Sequence, residues 1–161
     1  MKTEGMGEQD AVRFRFAERD DVPSVVALLA DDVLGSKREG TDRQDMGVYL
    51  KAFDEMEAQG GNRYLLAVDQ DDTILGCVQI VLIPGLSRTG MKRAQVEGVR
   101  VAKSARSLGI GSRLMAEVHA IALRQGCGLI QLTTDRSRAD AHRFYESLGY
   151  ENSHHGLKLA L

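Results

Sequence analysis

The segment Arg106-Ser107-Leu108-Gly109-Ile110-Gly111-Ser112 sets a cation, two glycines and a hydroxyl just ahead of an amphipathic run. A helix start leaves several backbone N–H groups unpaired and carries partial positive charge, so it attracts phosphate. Glycines let that backbone approach an anion closely. A dinucleotide fingerprint is a poor alternative, because Leu114 stands where the third glycine should be and residues 102–108 intervene after the preceding strand. A Walker loop fails because no Gly-Lys-Ser/Thr follows. A tight turn into a helix, with no ligand at all, remains open for these residues taken alone.

Other chemistry is sparse. Cys77 lies inside an apolar stretch and Cys127 between two glycines, and neither has a CxxC or Cys/His spacing that would hold a metal, so both read as packing thiols and no metal is expected. The histidines are His119, His142, His154 and His155, the last two in the run Ser-His-His-Gly near the end of the chain.

The elements that position the loop follow from hydrophobic period. Residues 1–10 are polar and without period and read as a flexible leader, with a single domain over 11–161. Residues 12–19 alternate as a first strand, and Pro23 opens a helix with Val22, Val25, Val26 and Leu29 inward. Met46, Tyr49, Leu50, Phe53 and Met56 mark a second helix, stopped by Gly60 and Gly61. Two strands, 64–69 and 74–83, form a hairpin ended by Pro84-Gly85.

In the next strand, 94–101, Ala94 and Val96 share one parity while Val99 and Val101 share the other. One face can stay inward across that slip only if an extra residue is inserted, which predicts a β-bulge at Glu97 and Gly98. The helix after the loop has Leu114, Met115, Val118, Ile121 and Ala122 inward. A short strand over 129–134 follows. Ser137 and Asp140 are spaced as a capping box for a last helix with Ala141, Phe144, Tyr145 and Leu148 inward, and residues 150–161 read as a terminal strand pair or bent strand. Early hairpins and a later strand-helix-strand crossover together predict a mixed α/β sheet.

Composition narrows the function classes. The 161 residues are 43% hydrophobic and 27% charged, as in ordinary globular domains. No apolar run is long enough for a membrane span and the start lacks a signal-peptide core, so the expectation is a cytoplasmic chain without membrane contact. A net charge of -2 argues against a nucleic-acid partner.

Taken together, EGVRV, RSLGIGSRL and AHRFYESLGY resemble the GNAT superfamily of acetyl-CoA-dependent N-acetyltransferases, over nearly all of the chain after the leader. The wider pattern is similar to a bacterial subgroup of unassigned acceptor. The resemblance implies a GNAT fold: a mixed central sheet of six to seven strands, a bulged fourth strand splayed from the fifth, and about four helices. Acetyl-CoA would be the cosubstrate and a primary amine of unknown identity its partner in direct attack. Dimers are common among such relatives, so a homodimer is an allowed state. The alternative is a non-catalytic acyl-CoA-binding or regulatory domain.

The family loop pattern, Gln/Arg-x-x-Gly-x-Gly/Ala, is met by Arg106, Gly109 and Gly111, which assigns the CoA pyrophosphate to the backbone of Arg106, Ser107, Leu108, Gly109, Ile110, Gly111 and Ser112. Val99, Arg100 and Val101 would pair with the pantetheine arm. Tyr145 matches the family tyrosine that protonates the departing thiolate. Arg138 replaces the asparagine often found seven residues before that tyrosine, which removes one expected CoA contact and offers a cation for a phosphate. An alkylammonium of pKa about 10 must lose a proton before it attacks, and Glu97 is the first candidate base, ahead of His154, His119 and His142. Some family members carry their glutamate where this chain has Gln95. The resemblance brings the acceptor in past the first two helices, where Asp31, Asp32, Glu39 and Asp42 could attract a cation.

Overall fold

A computed structural model describes residues 12–32, 34–39 and 43–161 of the chain. Five strands form one sheet in the order β1 (Arg13–Phe16), β2 (Asn62–Val68), β3 (Ile74–Ile83), β4 (Lys92–Val101) and β5 (Cys127–Leu132). The first three pairings are antiparallel. Helix α1 spans Val22–Ala30 and α2 spans Arg43–Gln59; α3 is a single turn at Ser87–Gly90; α4 (Ile110–Arg124) crosses from β4 to β5, and α5 spans Ala139–Ser147. Among the described residues this is a mixed α/β sheet with five helices. The expected leader and Asp42 lie outside the described residues.

The sheet has five strands where six to seven were expected. The missing ones fall in 151–161, which is exposed and belongs to no strand. Leu157, Leu159 and Leu161 do alternate, and all three stand in the open. Alternation describes a half-buried strand only when a ladder partner supplies the other half of the hydrogen bonds.

The described residues up to Gln131 form one compact unit and Leu132–Leu161 a second. In the first, alternation along β3 divides the core in two. Cys77, with Leu66 and Val68 of β2, packs among Val22, Val25 and Val26 of α1 and Phe53 of α2. Val78 and Ile80 have the opposite parity, as do Ala94 and Val96 of β4, and all are buried. Helix α4 contacts β2, β3 and β4, with Leu114, Met115 and Val118 fully buried and Ile121 and Ala122 nearly so. Its inward stripe is the one the 3.6-residue period predicts. In α1 the buried fourth member is Leu28, whereas Leu29 is half-buried. Cys77 is a packing thiol: burial raises its pKa to about 12 against the opposing pull of Arg100.

In the second unit the expected capping box is absent. Arg138 occupies the N-cap of α5 without a side-chain capping bond. The Ser137 amide and hydroxyl instead donate to Asp135 Oδ1 at 2.9 and 2.6 Å, and Asp140 pairs with Arg143 one turn on. An aspartate two residues before a serine offers a closed local turn that competes with the cap.

One ion cluster ties β1 to the start of α1. Arg15 Nη1 and Nη2 donate to the two Asp21 oxygens at 2.7 and 2.9 Å, and Nη2 also reaches Asp72 Oδ2 at 2.8 Å in the β2–β3 turn. The Arg15 hydrogen bonds hold the Asp21 carboxyl below its usual range, partly opposed by burial. A carboxylate whose folded pKa is depressed stabilises the fold above its unfolded pKa of about 3.9, and that contribution fades as pH falls through the folded value. Asp21→Asn should therefore cost about 1–2 kcal/mol in urea unfolding at pH 7 and less at pH 3.

Candidate functional site

Between β3 and β4 the register shifts. Gln79 faces Glu97 and Cys77 faces Arg100, so β4 advances three residues where β3 advances two. Gly98 lies in that step with φ +58°, the left-handed region open to glycine at little cost. A Cβ there would meet Leu29 Cδ2 at 3.3 Å and the Tyr64 hydroxyl at 3.4 Å. Directly opposed residues of an antiparallel pair share a face. Tyr64 faces Gln79, which faces Glu97, so the three form a polar row across β2, β3 and β4 on the side of α1 and α2. Because of the extra residue, Arg100 emerges on that same face although it is three positions from Glu97.

Glu97 is exposed. Its Oε1 accepts from Gln95 Nε2 at 3.0 Å, and Gln95 Oε1 accepts from Gln131 Nε2 at 2.7 Å. Val99, Arg100 and Val101 are half-buried. The Arg100 guanidinium is engaged within the protein: Nη1 donates to Val99 O at 2.8 Å, and Nε stands 3.1 Å from Asp32 Oδ2 as an ion pair outside hydrogen-bond angles.

Past β4, the chain makes a short 3-10 turn at Lys103–Ala105 anchored by buried Ala105, and Arg106 Nε reaches back to Val101 O at 3.4 Å. Ser107 and Gly109 both adopt positive φ, +68° and +72°, and Gly109 is the N-cap of α4. Ile110 is buried and pins the loop, while Arg106, Ser107, Leu108, Gly109 and Ser112 are exposed and Gly111 is half-exposed. The first bond of the helix is Arg113 N–H to Gly109 O at 3.1 Å, which leaves the amides of Ile110, Gly111 and Ser112 ahead of the ladder. A Cβ at Gly109 would meet nothing within 4 Å, so this backbone faces open space. These features fit a pyrophosphate: unladdered amides, an accessible glycine backbone and an adjacent cation on a helix of fifteen residues.

Glu97, Val99, Arg100, Val101 and the 106–112 loop all lie in the first unit, with the loop joined to the end of β4 through Arg106 and Val101. Tyr145 and Arg138 belong to the second, where Tyr145 is half-buried and packs edge-to-face on Phe144 and Tyr150, with centroids 5.1 and 5.7 Å away. Burial raises the Tyr150 phenol to about 12. His154 is exposed, with Nδ1 2.7 Å from Ser153 Oγ; His119 and His142 are half-buried on α4 and α5. The acidic residues after α1 are already engaged. Asp31 pairs with Lys103 at 2.7 Å, Asp32 with Arg100 and the Gly35 amide, and Glu39 accepts from the Tyr49 hydroxyl at 2.9 Å.

Sequence reading missed Tyr64, Gln79 and Asn62. Gln79 Nε2 donates to Asn62 Oδ1 at 2.8 Å, and Asn62 Nδ2 to Gln59 Oε1 at 2.9 Å. The one signal for them was parity, polar residues on the buried side of apolar strands, and it says nothing until the register is known.

Residues 23–150 match the model of the Acetyltransferase (GNAT) family. The chain belongs to the GNAT acetyltransferase family. A crystal structure described as a transcriptional regulator from Bacillus halodurans C-125 is 43% identical, with a TM-score of 0.89 over 93% of this chain and 99% of that one. The uncharacterized N-acetyltransferase YhfO of Bacillus subtilis (strain 168) is 28% identical across 87% of this chain and 90% of its own. An aminoalkylphosphonate N-acetyltransferase of Salmonella typhimurium is 44% identical over 52 residues, about a third of either chain. Among the described residues no group of three or more His, Cys, Asp or Glu side chains could hold a metal, and no helix is long and apolar enough to cross a membrane.

Gly98→Ala places a methyl against Leu29 and Tyr64 in a left-handed backbone. It should lower stability by about 1–2 kcal/mol in urea unfolding.

Proposed function

We propose that the chain is an N-acetyltransferase that moves an acetyl group from acetyl-CoA to a primary amine by direct attack. The observation that carries this is the exposed, unladdered start of α4 with Arg106 folded back toward the end of β4. Family membership supplies the reaction class. Residues 11–161 act as one domain in this reading, which the match across both compact units supports.

Acetyl-CoA, when bound, supplies an activated thioester. The backbone amides of Ser107, Gly109, Ile110, Gly111 and Ser112 and the Arg106 guanidinium hold its pyrophosphate, the Leu108 amide being bonded to Ala105 O at 3.4 Å, and Arg138 is read as a second phosphate contact. We read the register shift as a β-bulge at Glu97 and Gly98 and assign to the backbone of Val99, Arg100 and Val101 the alignment of the pantetheine arm and the polarisation of the carbonyl, with Arg100 and Val101 still in register with Cys77 and Gly76 of β3. Preorganised donors of this kind contribute on the order of 3 kcal/mol. Arg100 contributes through its backbone, since its side chain is committed to Asp32.

Glu97 takes the proton of the amine, directly or through water, and returns it to solvent from its exposed position. Tyr145 donates a proton to the departing thiolate. A thiol of pKa about 8.5 leaves readily without help, so this donor speeds the reaction without being indispensable.

A second reading, a regulatory acyl-CoA-binding domain, is favoured by the description of the 43% identical protein as a transcriptional regulator. It needs the α4 loop but neither Tyr145 nor Glu97.

Thiol release from acetyl-CoA, measured across amines, amino acids, polyamines and aminoglycosides, tests the enzyme reading; binding without turnover for every acceptor would favour the regulatory one. In the active protein, Arg106→Ala should raise the acetyl-CoA KM about tenfold, the loss of one charge-assisted contact. Tyr145→Phe should lower kcat at least about tenfold at unchanged acetyl-CoA KM; an unchanged kcat would remove Tyr145 from the mechanism.

A further inference from the structure

A cavity of about 470 Å³ lies wholly within the first unit, between α1, α2 and strands β2 and β3. Val22, Val25, Leu29, Phe53 and Met56 make its walls apolar, and Tyr64, Gln79 and Asn62 add neutral polar groups. The only charged residue lining it, among those described, is Glu55. Ala52, Glu55 and Gln59 are exposed on α2, whereas Val22, Val25 and Val26 are buried, so the cavity runs inward from a mouth on α2.

Two lining residues also touch the register shift of β4: Leu29 Cδ2 and the Tyr64 hydroxyl, within 3.3 and 3.4 Å of the Cβ position of Gly98. The inner end of the cavity therefore abuts the stretch of β4 that aligns acetyl-CoA in the proposed reaction. Among the described residues the Tyr64 hydroxyl makes no hydrogen bond within the protein, and the adjacent Gln79 faces Glu97 across the ladder.

We infer that this cavity is the acceptor site and that it takes a primary amine with a compact hydrocarbon body, an alkyl- or arylalkylamine. The inference rests on the acetyltransferase reading above and adds the substrate class to it. A volume of this size suits a small ligand, and apolar walls with few polar groups are how such sites fix orientation. The body contacts the aliphatic and aromatic walls, and the nitrogen reaches the Tyr64–Gln79–Glu97 row, where Glu97 can take its proton. Glu55 at the mouth attracts the cationic form of the amine. The absence of a cation among the described lining residues leaves a phosphonate or phosphate group unpaired and desolvated, which disfavours such acceptors. A polyamine would place a second ammonium among the valines.

The test uses the full chain and two readouts. Saturation-transfer NMR with phenethylamine, without acetyl-CoA, reads the cavity; thiol release with acetyl-CoA reads turnover. Phenethylamine should bind and be acetylated with a kcat/KM at least about tenfold above those of 2-aminoethylphosphonate and spermidine. Ala52→Phe, on the exposed side of α2 and harmless to the core, should abolish the NMR signal and raise the phenethylamine KM about tenfold at unchanged acetyl-CoA KM. Tyr64→Phe, which keeps the ring, should lower kcat while leaving the acetyl-CoA KM unchanged. Turnover of another amine class without phenethylamine binding, or binding that Ala52→Phe does not alter, overturns the cavity assignment. Phenethylamine binding with no acetyl-CoA consumption overturns the enzyme reading instead.

Discussion

Gly98 takes a backbone conformation that β-branched and bulky residues avoid, and most of the site follows from it. With φ at +58°, β4 fits three steps against two of β3, so Glu97 and Arg100 share a face despite their odd spacing. Without that extra residue, Arg100 would turn toward the α4 side, among Val96, Leu114 and Met115, where a guanidinium has no partner and a large desolvation cost. With it, Arg100 meets Asp32 at the end of α1, and Lys103 meets Asp31 beside it. The end of α1 is thereby fastened to the strand that leads into the α4 loop. The absence of a side chain at Gly98 also leaves the space into which Leu29 and Tyr64 reach.

These pairings change the meaning of the acidic run after α1. Read as sequence, Asp31, Asp32 and Glu39 look like a lure for a cationic acceptor. Folded, each carboxylate has a protein partner, and two of those partners are cations. Their effect is to position the segment between α1 and α2, and in the proposed reading the selection of an acceptor passes to the cavity, whose lining is apolar with a carboxylate at the mouth.

Much of this was legible in the chain because it depends on local period. The stripe Leu114, Met115, Val118, Ile121 and Ala122 specifies one helix face. The parity slip between Ala94, Val96 and Val99, Val101 corresponds to the observed shift of register, since one face must stay covered. The glycine spacing in RSLGIG marks a helix start that a ligand can approach. What failed depended on partners distant in sequence or on close competition. Ser137 is spaced correctly for a cap, yet Asp135 engages it first. Leu157, Leu159 and Leu161 alternate as a strand should, but alternation cannot supply a ladder. The Tyr64–Gln79–Glu97 row exists only once the registers of two hairpins are set, and nothing at any one of the three positions announces it. Tyr145 and Arg138 were assigned from family resemblance, and their roles stand on it.

The central claim is that the start of α4 holds a pyrophosphate, and comparing two ligands that differ in that group tests it most directly. Calorimetric titration of the wild-type protein and of Arg106→Ala with coenzyme A and with pantetheine, which shares the thiol arm but lacks the pyrophosphate and the phosphoadenosine, reads the contribution of that half of the ligand and the share that depends on the loop. The account predicts one-to-one binding of coenzyme A at least about a hundredfold tighter than pantetheine, some 3 kcal/mol from the charge-assisted contacts of the loop. Equal affinities for the two would contradict it.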